Sequence, residues 1–184
     1  MNTYYMTAPL SKEDVKKLRI GDIVYLSGYI HTARDAAHFR IKQTLDAGGE
    51  PPIDLTDETI FYAGPCPAKP GRAIGAIAPT TSLRIDVFVE MMFKLGMTAM
   101  IGKGDRNDYV ADLCKEYGGI YFLSIGGASA LISKDVKSVE VVAWDDLGTE
   151  SIKKLGIENL RLVVGIDSQG NDFFKREHAK YKAE

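Results

Sequence analysis

Apolar and polar positions change period repeatedly along this chain, and the changes predict alternating strands and helices. "SKEDVKKL" opens on Ser11, a good helix N-cap, with acids in the first turn. "DIVYLSGYIHT" alternates in part and is rich in β-formers, which predicts a strand ending at Thr32. "ARDAAHFRIKQTLDAGG" then predicts a helix closed by Gly48 and Gly49. "ETIFYAG" and "AIGAIA" read as short strands flanking the Pro/Gly segment "GPCPAKPGR". "LRIDVFVEMMFKLG" carries apolar residues at helical spacing, and "MTAMIG" reads as a buried strand. "DRNDYVADLCKEYGG" is a helix with a double-glycine stop, followed by the strand "IYFLSI". "GGASALIS" predicts a short helix, "VKSVEVVAW" a strand, "LGTESIKKLG" a short helix and "NLRLVVGI" a strand. "DSQGNDFF" is a polar turn entering a last extended piece. Alternation through the middle of the chain argues for an α/β domain with a partly parallel sheet, and extra strands at both ends set it apart from a simple doubly wound sheet.

Three predicted helices begin with the wrong charge. Arg34 starts one after Thr32, Arg84 starts another after "PTTS", and Lys103 and Arg106 stand at the entrance to a third. A cation there opposes the positive end of the helix dipole, usually by about 0.3–1 kcal/mol. Carboxyl ends of strands are where open α/β sheets bind ligands, and helix N-termini there offer free N–H groups to anions. A bound anion would turn three unfavourable placements into one converging cationic pocket. The alternative is local neutralisation, since Asp35, Asp86 and Asp105 each lie within two residues of one of these cations.

Composition narrows the chemistry. The 184 residues suit one domain, and a net charge of −2 gives no reason to expect a general polyanion binder such as a nucleic-acid-binding protein. No apolar run approaches a membrane span, and the N-terminus lacks a basic start followed by an apolar core, so a cytoplasmic protein is expected. Cys66 and Cys114 form no disulfide framework; Cys66 reads as a packed turn residue and Cys114 as core. With three histidines and no Cys-x-x-Cys, a metal site built by this chain alone is not expected. "GKGD" lacks the phosphate-loop pattern and no G-x-G-x-x-G follows a strand, so separated cations favour a small carboxylate over a nucleotide.

The ordered set "HTARDAAH", "YAGPCPAKPG", "IGAIAPTTSLRID", "MIGKGD", "YFLSIGGASAL", "AWDDLGTESI" and "DSQGNDFF" resembles the β subunit, or C-terminal domain, of class I iron–sulfur fumarate hydratases and the related tartrate dehydratases. The resemblance covers nearly the whole chain, taken as a single domain over residues 1–184. It implies a swivelling three-layer β/β/α domain, a relative of the mobile aconitase domain. It also implies a hydro-lyase interconverting fumarate and (S)-malate, with a [4Fe–4S] cluster held by a partner α subunit rather than by this chain. A heterotetramer with that subunit, or a β homodimer, would be the assembly.

Carried over by motif, Arg34, Arg84 and Lys103 resemble clamps for the substrate carboxylates, with Thr81 beside them, and Thr80 resembles the base for the C3 proton. A hydroxyl is a poor base at neutral pH unless charge and burial activate it, and Lys103 and Asp105 are the local candidates for tuning or relaying the proton. Thr80 or Thr81 as a plain helix cap is the alternative. Asp86 and Asp105 are also placed to orient the cations, and His31 and His38 read as hydrogen-bonded wall residues. Ala78 and Ile85 replace the glycine and methionine usual in the family motif. A tartrate dehydratase subunit, a dicarboxylate-binding module without chemistry and a purely structural subunit remain the competing functions.

Overall fold

The computed structural model describes residues 1–125 and 127–181. Seven strands are interspersed with helices: β1 Thr3–Ala8, β2 Ile23–Thr32, β3 Thr59–Phe61, β4 Ala99–Gly102, β5 Ile120–Leu123, β6 Val136–Ala143 and β7 Ile152–Ile166. The α-helices are α1 Lys12–Val15, α2 Asp35–Asp46, α3 Val89–Lys94, α4 Asp108–Tyr117, α5 Ser129–Asp135 and α6 Phe173–Tyr181. Short 3-10 helices cover Ser82–Phe88 and Asp145–Glu150. The fold is α/β with a mixed sheet. Parallel pairs join β1 to β2, β2 to β3, β3 to β4 and β4 to β5, while β7 runs antiparallel to β2, β5 and β6.

The two long strands close the sheet on itself. β2 pairs with β7 from Ile23↔Val163 to Thr32↔Lys153, and its other edge is shared by β1 and then β3. β7 uses Leu155 and Ile157 against β6 and Val163 to Ile166 against β5. The pairings β2–β3–β4–β5–β7–β2 therefore form a ring. Alternation along each strand sorts side chains to its two sides. Ala99, Ile101, Ile120, Phe122, Leu155 and Leu162 fill the inner core. Met100 and Tyr121 point the other way, into a second core with Ala37 and Ile41 of α2, Val89 and Met92 of α3, and Val110 and Cys114 of α4. Burial on both faces is why β4 and β5 read as continuous apolar runs.

The ends of the elements follow their sequence signals. Ser11 and Asp14 form a reciprocal capping box on α1. Gly118 takes the left-handed conformation, φ 69°, that stops α4. The "DSQG" turn is held by the Asp167 carboxylate, which accepts N–H bonds from Gln169 and Asn171 at 3.0 and 3.1 Å.

Several expectations are corrected. "AIGAIA" is not a strand: it folds back on its own loop through Cys66 N–H to Ala76 O, 2.9 Å, and Gly75 N–H to Cys66 O, 3.1 Å. Those backbone bonds leave the Cys66 side chain exposed rather than packed, while Cys114 is fully buried. "LRIDVFVEMMFKLG" is a 3-10 turn followed by a short α-helix, not one α-helix. "IKKLG" belongs to β7, because Lys153 buries its stem and spends its ammonium on the Gly148 carbonyl at 2.7 Å. The last piece is the helix α6, whose first amides donate to Asp172 Oδ1 from Phe174 and Lys175 at 2.8 and 3.2 Å. Gly126, at the head of the predicted "GGASALIS" helix, lies outside the described residues; the helix itself forms as α5.

Candidate active site

Because β2, β3 and β4 are parallel, the segments after Thr32, Phe61 and Gly102 leave the sheet on one side. "PTTS" is laid between the latter two. Thr80 N–H donates to Tyr62 O at 2.7 Å, and Thr81 bridges Lys103 in parallel fashion. Ser82 completes the seam: its Oγ accepts the Lys103 N–H at 3.0 Å and the Tyr121 hydroxyl at 3.0 Å. Only glycine fits opposite, since a Cβ on Gly102 would collide with the Ser82 hydroxyl. Neither Thr80 nor Thr81 caps the following helix through its side chain.

That freedom leaves the Thr80 hydroxyl to another partner. Arg84 Nη2 donates to Thr80 Oγ1 at 2.7 Å. The same guanidinium forks onto Asp35, with Nε 3.2 Å from Oδ1 and Nη2 3.4 Å from Oδ2. Asp35 is thus shared away from its sequence neighbour Arg34, which stands 4.0 Å off. Arg34 pairs with Glu150 instead, Nη2 to Oε1 at 3.2 Å, and its buried Nε finds no hydrogen-bond partner among the described residues. Lys103 is half-buried, and its side chain makes no ion pair among the described residues.

The carboxylates therefore join one junction to another. Asp86 turns from Arg84 to Arg106, Nε to Oδ1 at 2.5 Å, and also accepts Asn107 N–H and Nδ2–H at 2.8 and 2.9 Å. Arg106 lies under the Tyr121 ring, 4.5 Å from its centroid, with 5.5 Å to that of Tyr62. It is a core cation and faces no open surface. Asp105 is exposed and accepts the N–H of Arg106 at 3.0 Å; among the described residues it bonds neither Thr80 nor Lys103.

The positive start of α2 is met by a carboxylate of this chain. Glu150 Oε2 accepts the Ala36 N–H at 2.9 Å, so the helix N-terminus is covered by a carboxylate of this chain. Sequence reasoning missed Glu150, which lies 114 residues away and carries no local signal. His31 and His38 are both hydrogen-bonded. His31 Nδ1 is 2.8 Å from Glu58 Oε2, and His38 Nδ1–H donates to Arg34 O at 2.9 Å. Burial against Tyr62 and Phe88 pushes the His38 pKa down to about 4, so the imidazole is neutral.

Arg34, Asp35, Thr80, Thr81, Arg84 and Lys103 thus gather at one rim, with Arg84 more than half exposed. A cubane cluster takes thiolate ligands at three or more irons. This chain has one exposed and one core cysteine, and no group of three metal-ligating side chains exists among the described residues. Its residues do not fit such a cluster. No helix among the described residues is long and apolar enough to cross a membrane.

Residues 2–177 match the family described as "Fumarase C-terminus". A protein of Methanocaldococcus jannaschii, provisionally named L(+)-tartrate dehydratase subunit beta, is 38% identical over 182 residues, covering 96% of this chain and 93% of that protein. The anaerobic class I fumarate hydratase of Escherichia coli is 39% identical over 153 residues, 82% of this chain. Fumarate hydratase 2 of Leishmania major is 35% identical over 167 residues, 90% of this chain. The chain spans only 28% and 29% of the lengths of these last two. Set beside the rim of cations and threonines, these matches show that the chain belongs to the fumarase C-terminus family.

Proposed function

We propose that this chain is the β subunit of a hydro-lyase acting on a C4 dicarboxylate, and that it supplies one wall of an active site completed by an iron–sulfur α subunit. The observation that carries the reading is the contact of Arg84 with Thr80 Oγ1 at 2.7 Å. A guanidinium donating to a hydroxyl oxygen favours the alkoxide, which is what a threonine base needs.

In the dehydration direction Thr80, as its alkoxide, takes the proton from C3, the electron pair of that bond forms the double bond to C2, and the C2 hydroxyl departs as hydroxide, which becomes water on gaining the proton that Thr80 took. Arg34, Arg84 and Lys103 hold the two carboxylates so that the C3 hydrogen faces Thr80. Thr81 lines the same strip. Lys103 stabilises the charge that develops on the substrate carboxylate, and Asp105 tunes the field around it from the rim. Asp35 keeps Arg84 in a fixed orientation. The [4Fe–4S] cluster of the partner subunit, when bound, would supply a Lewis acid for the departing hydroxyl. The three-layer swivelling architecture fits the closed ring of strands backed by helices, and swivelling would bring this rim against the partner.

Fumarate is the substrate we assign. L(+)-tartrate is the second reading, favoured by the near-complete overlap with the Methanocaldococcus protein, whose name denotes a separate β chain. The test is an anaerobic assay of the chain alone and of the chain co-expressed with an iron–sulfur α subunit from the same source. Fumarate turnover only in the mixture is the expected result. Tartrate turnover moves the assignment to the second reading, and a loaded complex inert toward both substrates contradicts the enzyme reading.

A further inference from the structure

Glu150 ends the 3-10 turn before β7, yet its carboxylate reaches α2. One oxygen lies 3.2 Å from Arg34 Nη2, and the other accepts the Ala36 N–H at 2.9 Å. A single side chain thereby fixes both the guanidinium of Arg34 and the backbone from which Arg34 projects.

The turn that carries it is itself immobilised. Gly148 sits at φ 58°, ψ −114°, and its carbonyl accepts three donors: Ser151 Oγ–H at 2.8 Å, Ser151 N–H at 3.3 Å and Lys153 Nζ at 2.7 Å. Lys153 also bonds the Ser151 hydroxyl and is nearly buried. On the opposite side the Thr149 carbonyl closes over Gly64. A Cβ there would lie 2.6 Å from Thr149 O and 3.1 Å from Arg34 Cδ. Two segments distant in sequence therefore converge on one arginine. Structural support of α2 alone would need only the bond to Ala36; the second oxygen on Arg34 is left over from that task.

We propose that Glu150 is a positioning residue for the reaction, setting the orientation in which Arg34 receives a substrate carboxylate. The proposal rests on the dicarboxylate reading above. A free arginine samples many rotamers, and one held by a fixed carboxylate presents its remaining donors without that search.

The experiment is a double-mutant cycle in the reconstituted complex, with Glu150→Ala, Arg34→Ala and the double variant assayed for kcat and KM on fumarate and malate. Glu150→Ala is expected to raise KM about tenfold while kcat falls less than about threefold. The double variant should be within about twofold of Arg34→Ala, because Glu150 acts only through Arg34. Glu150→Gln keeps an acceptor for Ala36 but loses the ion pair, and is expected to fall between wild type and Glu150→Ala. Gly64→Ala, which presses on Thr149 and Arg34 from the other side, should also raise KM. Additive losses, or a KM that falls when the carboxylate is removed, would overturn the proposal and leave the clamp reading standing. An Arg34→Ala variant with wild-type kinetics would remove both, a signature distinct from the first. If Glu150→Ala does not fold, Glu150→Gln and Gly64→Ala carry the same comparison.

Discussion

Arg106–Asp86 and Arg84–Asp35 are two arginine–carboxylate pairs built from the "TARD", "LRID" and "GDRN" junctions, and they have opposite fates. The first is 1% and 0% exposed at its side chains, roofed by Tyr121 and tied to Asn107. The second is 56% and 36% exposed, and its arginine reaches a threonine hydroxyl. In water an ion pair is weak, so Arg84–Asp35 orients the guanidinium but adds little to folding. Out of water neither partner of Arg106–Asp86 tolerates loss of the other. Two arginines 22 residues apart thus differ in setting: the buried one braces the core beneath the junctions and the exposed one stands at the rim.

The comparison predicts a graded series. Asp86→Ala leaves the Arg106 charge buried without its partner, and urea denaturation should show a loss of about 3–5 kcal/mol. Arg84→Ala should cost at most about 1 kcal/mol in the same measurement. Its kcat/KM in the reconstituted complex should nevertheless fall about 100-fold, or about 3 kcal/mol of transition-state stabilisation. Equal stability losses for the two variants would erase the distinction between core and rim.

His38 supplies a pH signature. Its folded pKa of about 4 lies below the unfolded value of 6.5, so its contribution is complete above pH 6.5. The contribution is lost as pH falls from there through 4, because only the unfolded state takes the proton. Between pH 7 and pH 5 the wild type should therefore lose about 2 kcal/mol more than His38→Phe, which keeps the aromatic contacts. Parallel acid limbs in denaturation curves of the two proteins would contradict a neutral buried imidazole.

Much of the rim was legible because its residues sit at strand-to-helix junctions, where charge against the helix dipole stands out. Arg34, Arg84 and Lys103 were found that way, and the parallel order of β2, β3 and β4 brings their junctions together. Their partners were not legible. Local neutralisation by a sequence neighbour fails for Arg84, whose partner is Asp35 rather than Asp86, and is only partial for Arg34, which keeps Asp35 at 4.0 Å but pairs more closely with Glu150, more than a hundred residues on. The ring closure through β2 and β7 is likewise invisible locally, as Ile23 meets Val163. "IKKLG" misled because adjacent lysines signal an exposed helix face, whereas Lys153 is buried and its ammonium has a carbonyl partner. "NDFF" misled because Asp172 caps a helix that has no strong apolar stripe of its own.

The central claim is that a threonine of this chain does acid–base work on a substrate held by its cations. Thr80→Val in the reconstituted, cluster-loaded complex tests it most directly, with exchange of the malate C3 hydrogen with deuterated solvent followed by NMR alongside dicarboxylate affinity. Exchange and turnover should both fall by about 100-fold or more, with affinity within about threefold of wild type. Exchange that continues at the wild-type rate would contradict the account and make Thr80 a residue of the wall alone.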